Sequence, residues 1–218
     1  GMRTIPPMIG ELTSLRYLTL HESEFSGSLP TEIANLTELQ TLNLASNNIK
    51  GSIPSMLSRL TSLSKMNLSI NKLTGSFSTE IGLMSSLREL DVAINRIAGS
   101  IPSEIGLSNL SRLLLDLNSF TGRLPTEIGM LASLKYLSMY GNKCIGNIPT
   151  EIGLMQSLDS FSLSSNYFTR EVPSEIGMLS FTRRVSLDST KLSGKVPSEI
   201  GLLSSLEYLA LSGTSLSG

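Results

Sequence analysis

The 218-residue sequence has one cysteine, one histidine, no tryptophan and only 5% aromatic residues. Each scarcity excludes something. Cys144 alone can form neither an internal disulfide nor a thiolate metal cluster. The few tyrosines and phenylalanines are the only large anchors available to an interface. A formal net charge of −1 gives no bias toward nucleic acid or an anionic membrane. No run approaches the roughly 18 uninterrupted apolar residues of a membrane span, and the first six residues lack the apolar centre of a signal peptide. With 40% hydrophobic residues, there is enough apolar material for one folded unit.

What the sequence does have is self-similarity. An apolar-Pro step recurs at Ile5-Pro6, Leu29-Pro30, Ile53-Pro54, Ile101-Pro102, Leu124-Pro125, Ile148-Pro149, Val172-Pro173 and Val196-Pro197, with Phe77-Ser78 filling the gap. The step is 24 residues, except for 23 between Ile101 and Leu124. That defines about nine repeats. Within them, trios such as Leu39, Leu42, Leu44 and Leu134, Leu137, Met139 end in two apolar residues spaced two apart, which puts both on one face of a short strand. Stacked coils would turn that face inward, leaving Tyr136, Ser138 and Tyr140 pointing outward from a parallel sheet with strands about 4.8 Å apart.

The other fixed positions also have physical reasons. Asn47, Asn71, Asn95, Asn118, Asn142 and Asn166 close the strand, where an amide can both donate to and accept from inward-turned backbone; they form a structural ladder. Glycines at 27, 51, 75, 99, 122, 146 and 194 suit positive φ or a close backbone approach. Ser or Thr followed by Glu after the proline, as in Thr126-Glu127, suggests a helix cap and an acidic first turn, cut short by Gly129.

The pattern L-x-x-L-x-x-L-x-L-x-x-N-x-L-[TS]-G-x-[IL]-P resembles the plant-type leucine-rich repeat of receptor-like kinase ectodomains, receptor-like proteins and polygalacturonase inhibitors. The resemblance implies an α/β repeat architecture: a right-handed solenoid with a concave parallel β-sheet, a short second sheet from the T-G-x-I-P segment, and 3₁₀ or irregular convex turns. It also implies recognition of a protein or peptide, in preference to a small ligand, by an extracellular or cell-surface module. Residues 1–218 read as one such domain. Cysteine-bearing caps are missing, and Leu209, Leu211 and Leu216 would lie uncovered, so the expectation is a piece of a longer protein, its ends covered by further repeats, caps or a partner. Several repeats depart from the pattern: Arg170 replaces the glycine, Thr182 a core leucine, and Ser23, Thr190 and Thr214 the asparagine. Looser or repacked turns are expected there, with Phe181 supplying the volume Thr182 lacks. The missing residue near Leu107-Ser108-Asn109 should fall on the convex side.

The outward strand positions gather Lys65, Glu89, Asp91, Arg112, Leu114, Asp116, Tyr136 and Tyr140 into a candidate ligand-binding patch, with tyrosine anchors and orienting charges. The alternative is a solvated sheet whose charges pair across strands. Three glycosylation triplets begin at Asn35, Asn67 and Asn109, and a glycan on Asn67 would obstruct the patch. Cys144 stands where other repeats have Leu73, Phe120 and Phe168, so it reads as a buried thiol. His21 lies five repeats away, roughly 24 Å at the strand spacing, too far for a catalytic pair. No enzyme activity, metal or cofactor is assigned; single glutamates per turn make a poor calcium site. Two other functions fit the repeat: an intracellular adaptor, and ice or surface binding by the regular Ser/Thr flank (Thr31, Ser55, Thr79, Ser103, Thr126, Thr150, Ser174, Ser198), which the adjacent glutamates would charge.

Overall fold

The computed structural model describes residues 3–218. Among them the chain winds through nine coils, each contributing a strand, a corner, an extended segment and a five-residue 3₁₀ helix. Nine three-residue strands, from Tyr17–Thr19 to Tyr208–Ala210, pair in parallel as one sheet in chain order. This is the concave sheet of a leucine-rich-repeat solenoid. The extended segments pair on the flank as three shorter sheets of four, two and four strands. Backbone bonds bridge their breaks, Ala98 N–H to Gly75 at 2.7 Å and Lys143 N–H to Phe120 at 2.8 Å, so the flank is continuous. The 3₁₀ helices, from Pro7–Glu11 to Ser198–Leu202, stack along the third side. No helix among the described residues is long and apolar enough to cross a membrane.

The interior is one apolar column running from Ile5 to Leu203. The strand trios lie in it as the period-two pattern requires: Leu39, Leu42, Leu44, Leu134 and Met139 are fully buried and Leu137 nearly so. Each such side chain taken from water contributes about 1.5–3 kcal/mol before the entropy of ordering it. No coil has an interior of its own, because its apolar residues are covered by the coils above and below.

The asparagine ladder is formed as the pattern suggests. In Asn142 the side-chain amide donates to the carbonyls of Met139 (3.1 Å), Tyr140 (3.4 Å) and, one coil back, Leu115 (2.9 Å), while its oxygen accepts the Phe120 N–H at 3.0 Å. Asn47, Asn71, Asn95, Asn118 and Asn166 repeat this arrangement. Thr190 donates only to the carbonyl three residues back, at 2.8 Å, and Thr214 donates to the same place at 2.7 Å and accepts the Leu216 N–H at 3.4 Å; neither reaches the preceding coil. Their corners keep the ladder geometry, Ser189 holding φ 54° and Gly213 φ 67°, so these turns have lost bonds and not shape.

Other expectations need correction. The Ser and Thr hydroxyls cap nothing: the capping residue is the proline itself (Ser78 in the fourth coil), without a side-chain bond, and the hydroxyl donates to the neighbouring glutamate, as Thr126 does to Glu127 at 3.2 Å. Gly129 does not end the turn but sits inside the helix Thr126–Met130. Phe181 fills no gap, being 67% exposed; Thr182 takes the inner place itself, its hydroxyl bonded to the Leu158 carbonyl at 2.6 Å. Arg170 keeps the glycine's left-handed backbone, at φ 67°. The one-residue deletion is absorbed where Ser108 follows the helix Ser103–Leu107, and strand register continues undisturbed from Glu89 to Arg112 to Tyr136.

The helical glycines have a reason the sequence did not disclose. A Cβ on Gly129 would lie 2.4 Å from the Glu151 carbonyl oxygen of the next coil, and Gly106 meets Glu127 the same way. Ala34 and Ser58 fill this place in the second and third coils, so those steps accommodate a side chain that the later ones do not. Gly201, in the last coil, has nothing within 4 Å. Gly129→Ala should therefore destabilise by about 1–3 kcal/mol through overpacking, whereas Gly201→Ala should be neutral or stabilise by up to about 1 kcal/mol. Urea unfolding of both variants checks this; equal effects would contradict it.

Candidate functional site

The concave sheet places the outward residues in straight rows. Strand register aligns Tyr17, Thr41, Lys65, Glu89, Arg112, Tyr136, Ser160, Arg184 and Tyr208 in one row. The next contains Asn43, Asn67, Asp91, Leu114 and Ser138. A third holds Ala93, Asp116 and Tyr140, whose coils remain bonded beyond the strand ends. All eight candidate residues thus share one surface, spread over coils three to six.

Their polar groups are partly engaged with one another. Lys65 and Glu89 face each other across neighbouring strands at 2.9 Å. The Arg112 guanidinium lies 5.1 Å from the centre of the Tyr136 ring. Asp116 accepts the Ser138 hydroxyl and, at 2.7 Å, the Tyr140 N–H. Asn43, Asn67 and Asp91 each accept the N–H two residues on, at 3.2, 3.0 and 3.0 Å, the local turn favoured by these side chains. The fifth coil has Leu114 in that row, and Asp116 serves Tyr140 from the adjacent row instead. Burial, chiefly, and the neighbouring Asp116 carboxylate raise the Asp91 carboxyl above its ordinary range, opposed by the Ala93 N–H and the Arg112 guanidinium. A cation placed beside Asp91 would relieve that cost.

Between the second and fifth coils the sheet forms a shallow depression of about 320 Å³, lined by Thr41, Asn43, Lys65, Asn67, Glu89, Asp91 and Arg112 among others. The sequence places Thr41 and Asn43 on the outward rows but outside the candidate patch, because small polar residues there carry no signal of their own. The depression is displaced from the two tyrosines, which stand in coil six at 38% and 43% exposure.

Beside Tyr140, Ile70, Ile94 and Leu117 form an apolar lip, each nearly half exposed, and all three hold left-handed backbone at φ 55°, 57° and 50°. The position immediately before the ladder residue takes this conformation in other coils too, at Ser46, Gly141 and Ser165 before asparagine and at Ser189 and Gly213 before threonine. The conformation belongs to the corner and not to the asparagine, since the residues before Thr190 and Thr214 share it; where the asparagine is present, its amide bonds the carbonyls two and three residues back. A β-branched residue there is strained by an amount on the order of 1–3 kcal/mol.

The remaining candidates lie elsewhere. Asn35 and Asn109 are exposed at or just beyond the ends of 3₁₀ helices, whereas Asn67 is half-buried on the sheet, its oxygen bonded by Ser69. Cys144 is buried, and desolvation pushes its thiol up to about 12, so little nucleophilic thiolate exists near neutrality. Among the described residues no group of three or more His, Cys, Asp or Glu side chains is placed to hold a metal. The flank hydroxyls donate to the adjacent glutamates at 3.1–3.3 Å in seven coils, giving a row of alternating hydroxyl and charge.

Known proteins share this architecture. A family described as leucine-rich repeat region matches residues 6–124. The plant peptide hormone receptor RGFR1, solved in complex with RGF2, is 36% identical with a TM-score of 0.96 over 99% of this chain and 35% of its own. A TDR receptor is 32% identical, with a TM-score of 0.96 over 98% of this chain and 37% of its own. A plant ice-binding protein is 25% identical, with a TM-score of 0.84 over this whole chain and 70% of its own. The chain thus spans about a third of the receptor structures it matches. No curated protein matches it.

The strained lip gives a test independent of any ligand. Asparagine tolerates left-handed backbone better than isoleucine does, so Ile94→Asn should stabilise the protein by about 1 kcal/mol despite the lost apolar contact. A urea midpoint that falls instead would show that Ile94 is held by packing and not under strain.

Proposed function

The chain belongs to the leucine-rich-repeat family, and we propose that its concave face binds an extended peptide or protein segment as part of an extracellular, receptor-like protein. The observation that carries this reading is the strained, half-exposed lip of Ile70, Ile94 and Leu117 beside Tyr140, contiguous with the charged rows of coils three to six. It joins apolar anchors to groups that fix orientation, as recognition surfaces do. The likeness to a peptide hormone receptor solved with its peptide supports the ligand class.

The chemistry suggests how a segment would lie. Its apolar side chains would cover the lip and the Tyr136 and Tyr140 rings. A basic side chain would reach the Asp91 carboxylate, and an acidic one or a carboxyl terminus would take the Arg112 guanidinium, whose planar fork suits a carboxylate. Binding holds the segment without chemical change. Glycans on Asn35 and Asn109 would be compatible with such binding, and one on Asn67 would block it.

Ice binding is the second reading, favoured by the likeness to a plant ice-binding protein. The glutamates that engage the flank hydroxyls weigh against it, because a lattice-matching face depends on uncharged groups free to order water.

Selecting peptides of random sequence against the chain tests the proposal. Selected peptides should lose about tenfold affinity for each of Tyr136→Ala, Tyr140→Ala and Ile94→Asn, and more for Arg112→Glu, while Arg16→Glu leaves binding unchanged. Peptides indifferent to all four concave substitutions would contradict it.

A further inference from the structure

The convex side carries a surface that the concave reading does not use. Each 3₁₀ helix there has five residues, and the third points into the core, as Ile105, Ile128 and Ile152 do. At three residues per turn the second and fifth eclipse one another, so they lie on the same side of the helix. From the fourth coil to the ninth the fifth residue is Leu83, Leu107, Met130, Leu154, Met178 and Leu202 in turn, each 50–63% exposed. The second is a glutamate in every one of these coils, from Glu80 to Glu199, and half-buried. The first three coils have Glu11, Asn35 and Arg59 at the fifth place, so the apolar ridge begins at the fourth. The helices pack on one another in chain order, and a Cβ on Gly153 would lie 3.1 Å from the Met178 sulfur, which shows a ridge side chain reaching the coil before its own.

An unbroken line of large apolar side chains is uncommon on a surface left to water. The charge beside it is one-sided. The convex segments 79–87, 103–110, 126–134, 150–158, 174–182 and 198–206 contain one glutamate each and no lysine, arginine or histidine. The ion pairs among the described residues, Lys65–Glu89 and Arg183–Asp159, involve none of these glutamates. Each carboxylate accepts the hydroxyl of the Ser or Thr before it, which holds it in place without neutralising it. An apolar row and an acidic row thus run side by side along the solenoid axis, and the chain itself supplies no cation to the second.

We propose that this ridge docks an amphipathic α-helix of a partner protein, laid along the solenoid axis, its apolar stripe on the leucines and methionines and its lysines or arginines against the glutamates. The spacing suits a helix. Coils follow one another at about 4.8 Å in the sheet, and the convex arc of a curved solenoid is spaced more widely than its concave one. That approaches the roughly 5.4 Å pitch of an α-helix, so one apolar side chain per turn falls between successive ridge residues. From the fourth coil to the ninth is roughly 24 Å, the length of about 16 helical residues. Methionine at two of the six places adapts to whatever shape is offered. A second copy of this chain fits poorly, because its own convex side would bring glutamates and no cation. An anionic membrane would be repelled by the same row.

The test is binding of three helical peptides of about 16 residues. One has leucine once per turn and lysines along one edge, the second has glutamates for the lysines, and the third has serines for the leucines. The chain is used without glycans, because Asn109 stands just beyond Leu107. The lysine peptide should bind, and the other two at least about tenfold more weakly. Combining Leu107→Gln, Met130→Gln and Leu154→Gln should lower its affinity at least about tenfold. Combining Glu127→Gln, Glu151→Gln and Glu175→Gln should remove the preference for lysine over glutamate and flatten the dependence on salt. A control combining Glu22→Gln, Glu38→Gln and Glu207→Gln removes the same charge from other faces and should bind as the parent does. Circular dichroism confirms that all three variants remain folded. No binding of the lysine peptide, equal binding of the glutamate peptide, equal loss in the control, or binding lost in Arg112→Glu on the concave face would each overturn the proposal. So would self-association in sedimentation, or attachment to phosphatidylserine vesicles, that the ridge variant abolishes in a chain indifferent to the peptides; the occupant would then be a second copy or a membrane.

Discussion

One side-chain amide per coil holds this structure in register. Among the described residues the ladder asparagine is the only side chain that, in six coils, bonds backbone on both its own coil and the one before; in Asn142 the amide donates three ways and the oxygen accepts once. The corner it fills is buried, and an unpaired peptide group there would cost on the order of 1–3 kcal/mol. The apolar column supplies most of the stabilisation, but apolar contact is non-directional and would tolerate slippage between coils. The amide does not, because its four partners are fixed points of two adjacent coils.

The same corner shapes the surface. The residue before the ladder position holds left-handed backbone whether the ladder residue is asparagine or threonine, and this fixes the lip beside the concave rows. Where that residue is Gly141 or Gly213 the conformation carries no penalty; where it is Ile70 or Ile94, strain is stored next to the candidate ligand surface. The extended segment that follows turns the chain onto the flank, where Lys72, Arg96, Lys143 and Lys191 stand in coils three, four, six and eight. Two faces of differing chemistry thus come from one corner: a concave sheet of mixed charge and aromatics, and a flank of small, polar and charged residues.

Much of this was legible in the sequence because a 24-residue period converts position into place. The inward trios, the outward rows, the ladder and the positive-φ glycines from Gly27 to Gly194 could all be assigned without coordinates. What could not be read depends on distances between coils. Gly129 looked like a stop signal, and only its approach to the Glu151 carbonyl shows why a Cβ does not fit. Thr126 looked like a cap, yet with the proline as capping residue its hydroxyl has the glutamate as its nearest partner. Phe181 looked like core because it adjoins a polar residue at a leucine place, but a threonine whose hydroxyl finds a carbonyl is buried at little cost. The lip was invisible as such, since isoleucine and leucine carry no sequence mark of left-handed backbone.

The most direct test of the account is the stability and amide exchange of Asn142→Ala. Loss of the amide should reduce unfolding free energy by about 2–4 kcal/mol, because buried backbone groups on two coils lose their partner. The Phe120 N–H, which donates to Asn142, should lose its protection from exchange while core amides distant from that corner keep theirs. A loss below about 1 kcal/mol with Phe120 still protected would mean that apolar packing alone sets the stack, and the ladder would then be a consequence of the fold and not its constraint.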